Sequence, residues 1–142
     1  MAEISGMAHL QLSVSDMARS RAFYEPLLHS MGMVTLLDDP NYFYCIGGRT
    51  GLAISPADPA LVDDGFKQRR PGLHHLCFRA KSREDVDELY NTAVSLGASI
   101  VRKPEEAGFA PGYYSILFED PDGIRIEVNF VPGKGHLENG TS

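Results

Sequence analysis

Cysteine is scarce in this chain: Cys45 and Cys77 are the only two in 142 residues. That is too few for a disulfide framework, and a reducing compartment, the cytoplasm, fits best. Basic runs are also missing. Beyond Arg69-Arg70 no Lys or Arg cluster stands out, and the formal net charge is −6, which argues against nucleic acid or an acidic membrane surface as a partner. No apolar run approaches the roughly 18–20 residues of a membrane span, and the first residues hold no apolar core of a signal peptide. What remains is ordinary for a globular domain, 43% hydrophobic and 23% charged, long enough to bury a real core.

The chain repeats itself once. The first copy runs "MAHLQLSV", then the helix-like "SDMARSRAFYEPLLHSMG", then "NYFYCIGGRTGLAIS". The second runs "LHHLCFRA", then "SREDVDELYNTAVSLG", then "GYYSILFEDPDGIRIEVNF". Each is an alternating strand, an amphipathic helix ending in glycine, and further strands joined by Gly-containing turns. The pattern predicts an α+β fold of two β-α-β-β-β units, about residues 5–56 and 72–131, packed as one domain over 5–131. "PADPALVDDGFKQRRPG" reads as the linker, and 132–142, without apolar periodicity, as a flexible tail.

Local signals are good for the second helix and less clean for the first. Ser82 suits an N-cap, Glu84 and Asp85 suit the positive helix end, and Gly97 suits the position past the C-terminus. Val86, Leu89, Tyr90, Ala93 and Val94 form a stripe at helical spacing. In the first helix Phe23, Leu27, Leu28 and Met31 can face a sheet, while Pro26 should bend the helix or shift its start.

Alternation sorts the strand residues. Leu10, Leu12 and Val14 share one face and His9, Gln11 and Ser13 the other. In "LHHLCFRA" the apolar set is Leu76, Phe78 and Ala80, with His74 predicted to pack beneath the sheet beside them. His75, Cys77 and Arg79 lie opposite. In the last strand Ile124, Ile126 and Val128 leave Arg125, Glu127 and Asn129 opposite. If the sheets curl, the polar faces line a cup containing His9, His75 and Glu127. The two histidines hold the same place in the two copies, and all three residue types ligate divalent metals. Tyr113, Phe43 and Cys45 are predicted cup-lining residues, with Gln11, Arg79 and Arg125 as contacts for a substrate anion. His29 and His136 read as surface residues.

The paired units, "MAHLQLSVSDM" followed by "FY", "HHLCFRA", and above all "DPDGIRIEV" resemble the vicinal oxygen chelate superfamily, which holds glyoxalase I, fosfomycin- and bleomycin-resistance proteins and extradiol dioxygenases. The resemblance covers about residues 5–131. It implies curled mixed sheets around a cup and a divalent metal ion (Zn, Ni, Mn, Co or Fe) held by His9, His75 and Glu127, with Glu127 also catalytic. Aligning Leu52-Ala53-Ile54 with Ile126-Glu127-Val128 puts Ala53 at a fourth position, where alanine cannot ligate. The implied activity is that of a metal-dependent lyase or isomerase acting on a small oxygenated substrate. A non-haem iron dioxygenase and a metal-free small-molecule-binding resistance protein stay open beside it. A homodimer is expected, from open sheet edges and from the superfamily's habit of pairing units.

Overall fold

A computed structural model of the chain describes residues 1–133. The expected tail from 134 onward, His136 included, lies outside the described residues. The chain divides between Gly65 and Phe66 into two compact units, each built as β-α-β-β-β.

The first unit comprises β1 (Leu10–Val14), α1 (Met17–Ser30), β2 (Val34–Asp39), β3 (Tyr42–Gly47) and β4 (Thr50–Pro56). Asp16 caps α1 by accepting the Arg19 backbone N–H at 3.0 Å. The helix runs through Pro26 without a shifted start. Ser20, Phe23, Tyr24, Leu27 and Leu28 are buried along it, a spacing of three and four residues that makes one face. The sheet order is β1-β4-β3-β2, with β1 and β4 parallel and the rest antiparallel. Leu12, Val14, Phe43, Cys45, Leu52 and Ile54 are buried. Strand pairing puts Leu12, Ile54 and Phe43 in one row and Gln11, Ala53 and Tyr44 in the next, on the opposite face.

The second unit comprises β5 (Leu76–Arg79), α2 (Arg83–Ser95), β6 (Ser99–Glu106), β7 (Tyr114–Glu119) and β8 (Arg125–Phe130), after a short 3₁₀ turn at Val62–Asp64 near the end of the first unit. Ser82 caps α2 by accepting the Asp85 N–H at 3.0 Å, as its sequence predicts, and Gly97 takes φ 75° just beyond the helix. Val86, Leu89 and Ala93 are buried, whereas Val94, at the margin of the predicted stripe, is 49% exposed. The sheet order β5-β8-β7-β6 repeats that of the first unit, and neither sheet is closed. Ile116, Phe118, Ile124, Ile126 and Val128 are buried.

The "DPDG" segment shapes the turn between β7 and β8. Asp120 Oδ1 accepts the backbone N–H groups of Asp122 and Ile124, each at 2.8 Å, and Gly123 takes φ 87°. That turn fixes the register so that Glu119 faces Arg125 and Leu117 faces Glu127. Parallel pairing sets Cys77 on the other side of Glu127. The motif thus aims Glu127 onto the face away from the helix. Among the described residues, no helix is long and apolar enough to cross a membrane.

Candidate metal and substrate site

In the second unit a set of polar side chains converges on Glu127. The residue is buried although it lies in the polar row of β8. Its Oε1 stands 3.2 Å from His75 Nε2. Its Oε2 accepts a short hydrogen bond from Tyr113 Oη and lies 3.8 Å from Arg102 Nη2. The two carboxylate oxygens therefore have different neighbours. One faces an imidazole, and the other is held by a phenol and a guanidinium.

The surroundings hold these partners in turn. Asn129 Nδ2 donates to Tyr113 Oη at 3.2 Å, and Arg102 Nη2 donates to Ser115 Oγ at 2.8 Å. Arg102 Nε is 3.6 Å from Glu105 Oε1. Burial and the bond to Glu127 push the Tyr113 phenol up to about 12, so it keeps its proton at neutral pH. Burial, helped by the Glu127 charge, pushes the Cys77 thiol up to about 12, although part of that residue still meets solvent. A thiol so raised is a poor nucleophile.

Arg102 and Asn129 were not expected at the site. A bulge between Ile100 and Arg102 explains the first: Ile100 pairs with Phe118, and Arg102 pairs with Leu117 instead of continuing on the Ile100 side. The irregularity turns the guanidinium to the Glu127 face. Asn129 does fall on that face by alternation, and its signal was its position two residues after Glu127.

The two adjacent histidines depart from the expected alternation. Strand β5 begins only at Leu76, so neither His74 nor His75 is held by the pleat. His74 is exposed rather than packed beneath the sheet, and its ring meets that of His75 edge to face.

In the first unit, His9 directly precedes β1, as His75 precedes β5. Its ring meets Tyr44 edge-on with centroids 6.1 Å apart. Gln11 Nε2 donates to Ser55 Oγ at 3.0 Å. Phe43 and Cys45, expected in the cup, lie on the helix side instead. Phe43 is 1% exposed, with the Arg21 guanidinium of α1 at 4.8 Å from its ring centre, and Cys45 is fully buried. Tyr44 is the β3 aromatic residue that meets His9, in the row shared with Gln11 and Ala53, and Tyr42 lies beside it on the same face with ring centroids 6.3 Å apart. Of the remaining expected contacts, Arg79 is exposed, and Arg125 is engaged with Glu119 at 3.4 Å. His29 is exposed and lies 2.8 Å from Thr35 Oγ1. Among the described residues no three His, Cys, Asp or Glu side chains stand grouped as a ready metal site.

The description "Glyoxalase/Bleomycin resistance protein/Dioxygenase superfamily" belongs to the family model that matches residues 6–128. The chain is a member of that superfamily. It is 30% identical over 125 residues to the Bacillus subtilis protein YqjT, itself uncharacterized, covering 86% of this chain and 96% of that one. Identity is also 30% over 130 residues to the metallothiol transferase FosB of Shouchella clausii, covering 89% and 80%. A solved Bacillus halodurans protein, described as a candidate glyoxalase, shares the fold with a TM-score of 0.80 at 29% identity, covering 89% of this chain and 96% of the other. The strand orders described above are therefore those of a glyoxalase-like fold.

Proposed function

We propose that the protein is a metal-dependent, glyoxalase-like enzyme, a lyase or isomerase, whose small substrate offers two neighbouring oxygens to a divalent ion (Zn, Ni, Mn, Co or Fe). His9, His75 and Glu127 are the proposed ligands. The observation that carries this reading is the 3.2 Å between His75 Nε2 and Glu127 Oε1. Two donors each about 2.0–2.2 Å from one ion, at tetrahedral or right angles, lie roughly 3–3.5 Å apart, so this pair fits a transition metal. The donor chemistry fits as well: neutral imidazole and carboxylate suit all five metals.

The bound ion would supply Lewis acidity to the paired substrate oxygens. The chain's own groups do the rest. Tyr113 Oη and Arg102 hold Glu127 Oε2 and leave Oε1 turned toward His75. Because its phenol is raised to about 12, Tyr113 keeps its proton and remains a hydrogen-bond donor to Glu127 rather than a competing anion. Glu127 is the proposed catalytic residue, placed to take or return a proton at the substrate. Gln11, Arg79 and Arg125 remain proposed substrate contacts, and Tyr44 replaces Phe43 among the aromatic ones. The superfamily relation supports a small molecule as substrate.

A second reading, an iron dioxygenase, is favoured by Ala53. Its strand partners, Gln11 and Tyr44, correspond to the partners of Glu127, Cys77 and Leu117, so the first unit offers no carboxylate at the matching place. A ligand set of three leaves more open positions on the ion, which dioxygen chemistry uses. We also propose a cytoplasmic homodimer. Exposed Val34, Leu36 and Leu37 on edge strand β2 support the self-association.

Metal analysis of protein purified without chelator, followed by chelator competition, tests the central claim. The wild type should carry a stoichiometric transition metal. His75→Ala and Glu127→Ala should each weaken its binding beyond the roughly 10–100-fold typical of losing a supporting residue. Iron as the native metal turns the choice to the dioxygenase. A metal-free protein that takes up none of the five ions would leave only the small-molecule-binding reading.

A further inference from the structure

His74 and His75 stand ring to ring, centroids 5.0 Å apart and planes at 74°. Their Nδ1 atoms are 2.8 Å apart. Two bare lone pairs repel at that distance and two N–H groups collide, so one nitrogen carries the proton and the other accepts it. The far side of the His75 ring decides which. Facing the Glu127 carboxylate at 3.2 Å, Nε2 carries the proton while no metal is bound, whereas a ring nitrogen that ligates a metal carries none, so metal binding moves the His75 proton to Nδ1. A neutral His75 ligating through Nε2 must keep its proton on Nδ1, where it donates to His74 Nδ1. His74 then holds its own proton on Nε2; Gln68 Nε2 lies 3.2 Å from that nitrogen and 3.4 Å from Nδ1, and turning the amide over puts its oxygen in place to accept the Nε2 proton.

We infer that His74 is a positioning residue that fixes the tautomer and ring orientation of His75 for metal binding, with Gln68 as the next link. The inference rests on the reading of His75 as a ligand and goes beyond it by naming what prepares that ligand. The contact exists because the two residues precede β5. In a regular strand neighbouring side chains diverge to opposite faces, and two adjacent rings could not meet. An imidazole at this place accepts the His75 proton without adding negative charge beside Glu127.

The test uses the full chain and zinc alone. His74→Leu removes the acceptor from an exposed position, so the core stays intact. It should weaken zinc about 10–100-fold in chelator competition. His74→Asn places an amide oxygen near the position of Nδ1 and should restore binding to within about threefold of wild type. Nitrogen-15 imidazole spectra of the zinc-loaded wild type should show His75 protonated at Nδ1, and this readout needs no variant. His75 protonated at Nε2 in the loaded protein overturns the inference. So does wild-type affinity in His74→Leu alongside lost affinity in His75→Ala, a result that leaves the ligand reading standing. Wild-type affinity in His75→Ala removes the ligand reading and the inference together.

Discussion

Where the second unit has Glu127, the first has Ala53, and where the second has Leu117, the first has Tyr44. The helix-facing sides show no such divergence. Leu12, Phe43 and Ile54 in one unit answer to Phe78, Ile116 and Val128 in the other, all apolar and in the same strand register. The helices reach the same end by different means. Both helices carry an N-cap, but α1 tolerates Pro26 because Phe23, Tyr24, Leu27 and Leu28 anchor it, whereas α2 has an acidic first turn and only three buried side chains. The packing surface repeats between the units while the other surface differs, so the core and the proposed chemistry lie on opposite sides of each sheet.

If that separation is real, large core truncations should cost both units alike. Phe118→Ala and Phe43→Ala each remove a fully buried ring and should lower stability by about 3–5 kcal/mol in denaturant unfolding. Under conditions where both variants stay folded, Phe43→Ala should leave metal affinity within about twofold, an independence expected of separate sites. A cost below about 1 kcal/mol for Phe43→Ala would show that the first unit's core is not equivalent, since well-packed aromatic sites rarely collapse that completely.

The same opposition governs what the sequence could reveal. The helix side repeats with the periods of strand and helix, so the two units, the Ser82 cap and the opposed faces of β1 and β8 were readable residue by residue. The register also supports aligning Ala53 with Glu127, because Leu10 pairs with Leu52 as Leu76 pairs with Ile126. Alternation misled where the pleat is broken or its phase shifted. His74 precedes its strand, Arg102 follows a bulge, and the phase of β3 puts Tyr44 rather than Phe43 beside His9. Each of these is set by one or two backbone residues, which composition and period do not record.

A sharper probe of the divergent surface is the titration of Tyr113, one of six tyrosines. Its phenol is raised to about 12, by burial first and by the Glu127 hydrogen bond next. A raised phenol favours the protonated form in the folded state. It therefore adds stability that is complete below the ordinary value of about 10 and disappears as pH climbs from there to about 12. A difference titration of phenolate absorbance, wild type minus Tyr113→Phe, should isolate one group near 12. Glu127→Gln should bring that group part of the way back toward 10, since the carboxylate's share is lost while burial persists. A group that does not move in Glu127→Gln would mean that burial alone raises it.

The smallest effect tests whether the first unit's face has a device of its own. A Cβ on Gly51 would lie 2.4 Å from Tyr44 Cε2 and 2.5 Å from its Oη, so the tyrosine ring lies across the bare backbone of β4. From there it meets the His9 ring edge-on. Gly51 does not take a positive φ, so alanine fits the backbone itself. Alanine also restricts the unfolded chain, which by itself stabilises by about 0.4–1 kcal/mol. Gly51→Ala should therefore stabilise the Tyr44→Ala protein by that amount. With Tyr44 present the ring has to swing away, and the gain should vanish or reverse, a coupling of about 1 kcal/mol in the double-mutant cycle. In the second unit the place of Gly51 is taken by Arg125 and that of Tyr44 by Leu117, so no ring can lie there. Equal gains in both backgrounds would show that the tyrosine does not rest on Gly51, and that His9 is not steered from the sheet as His75 is steered by His74.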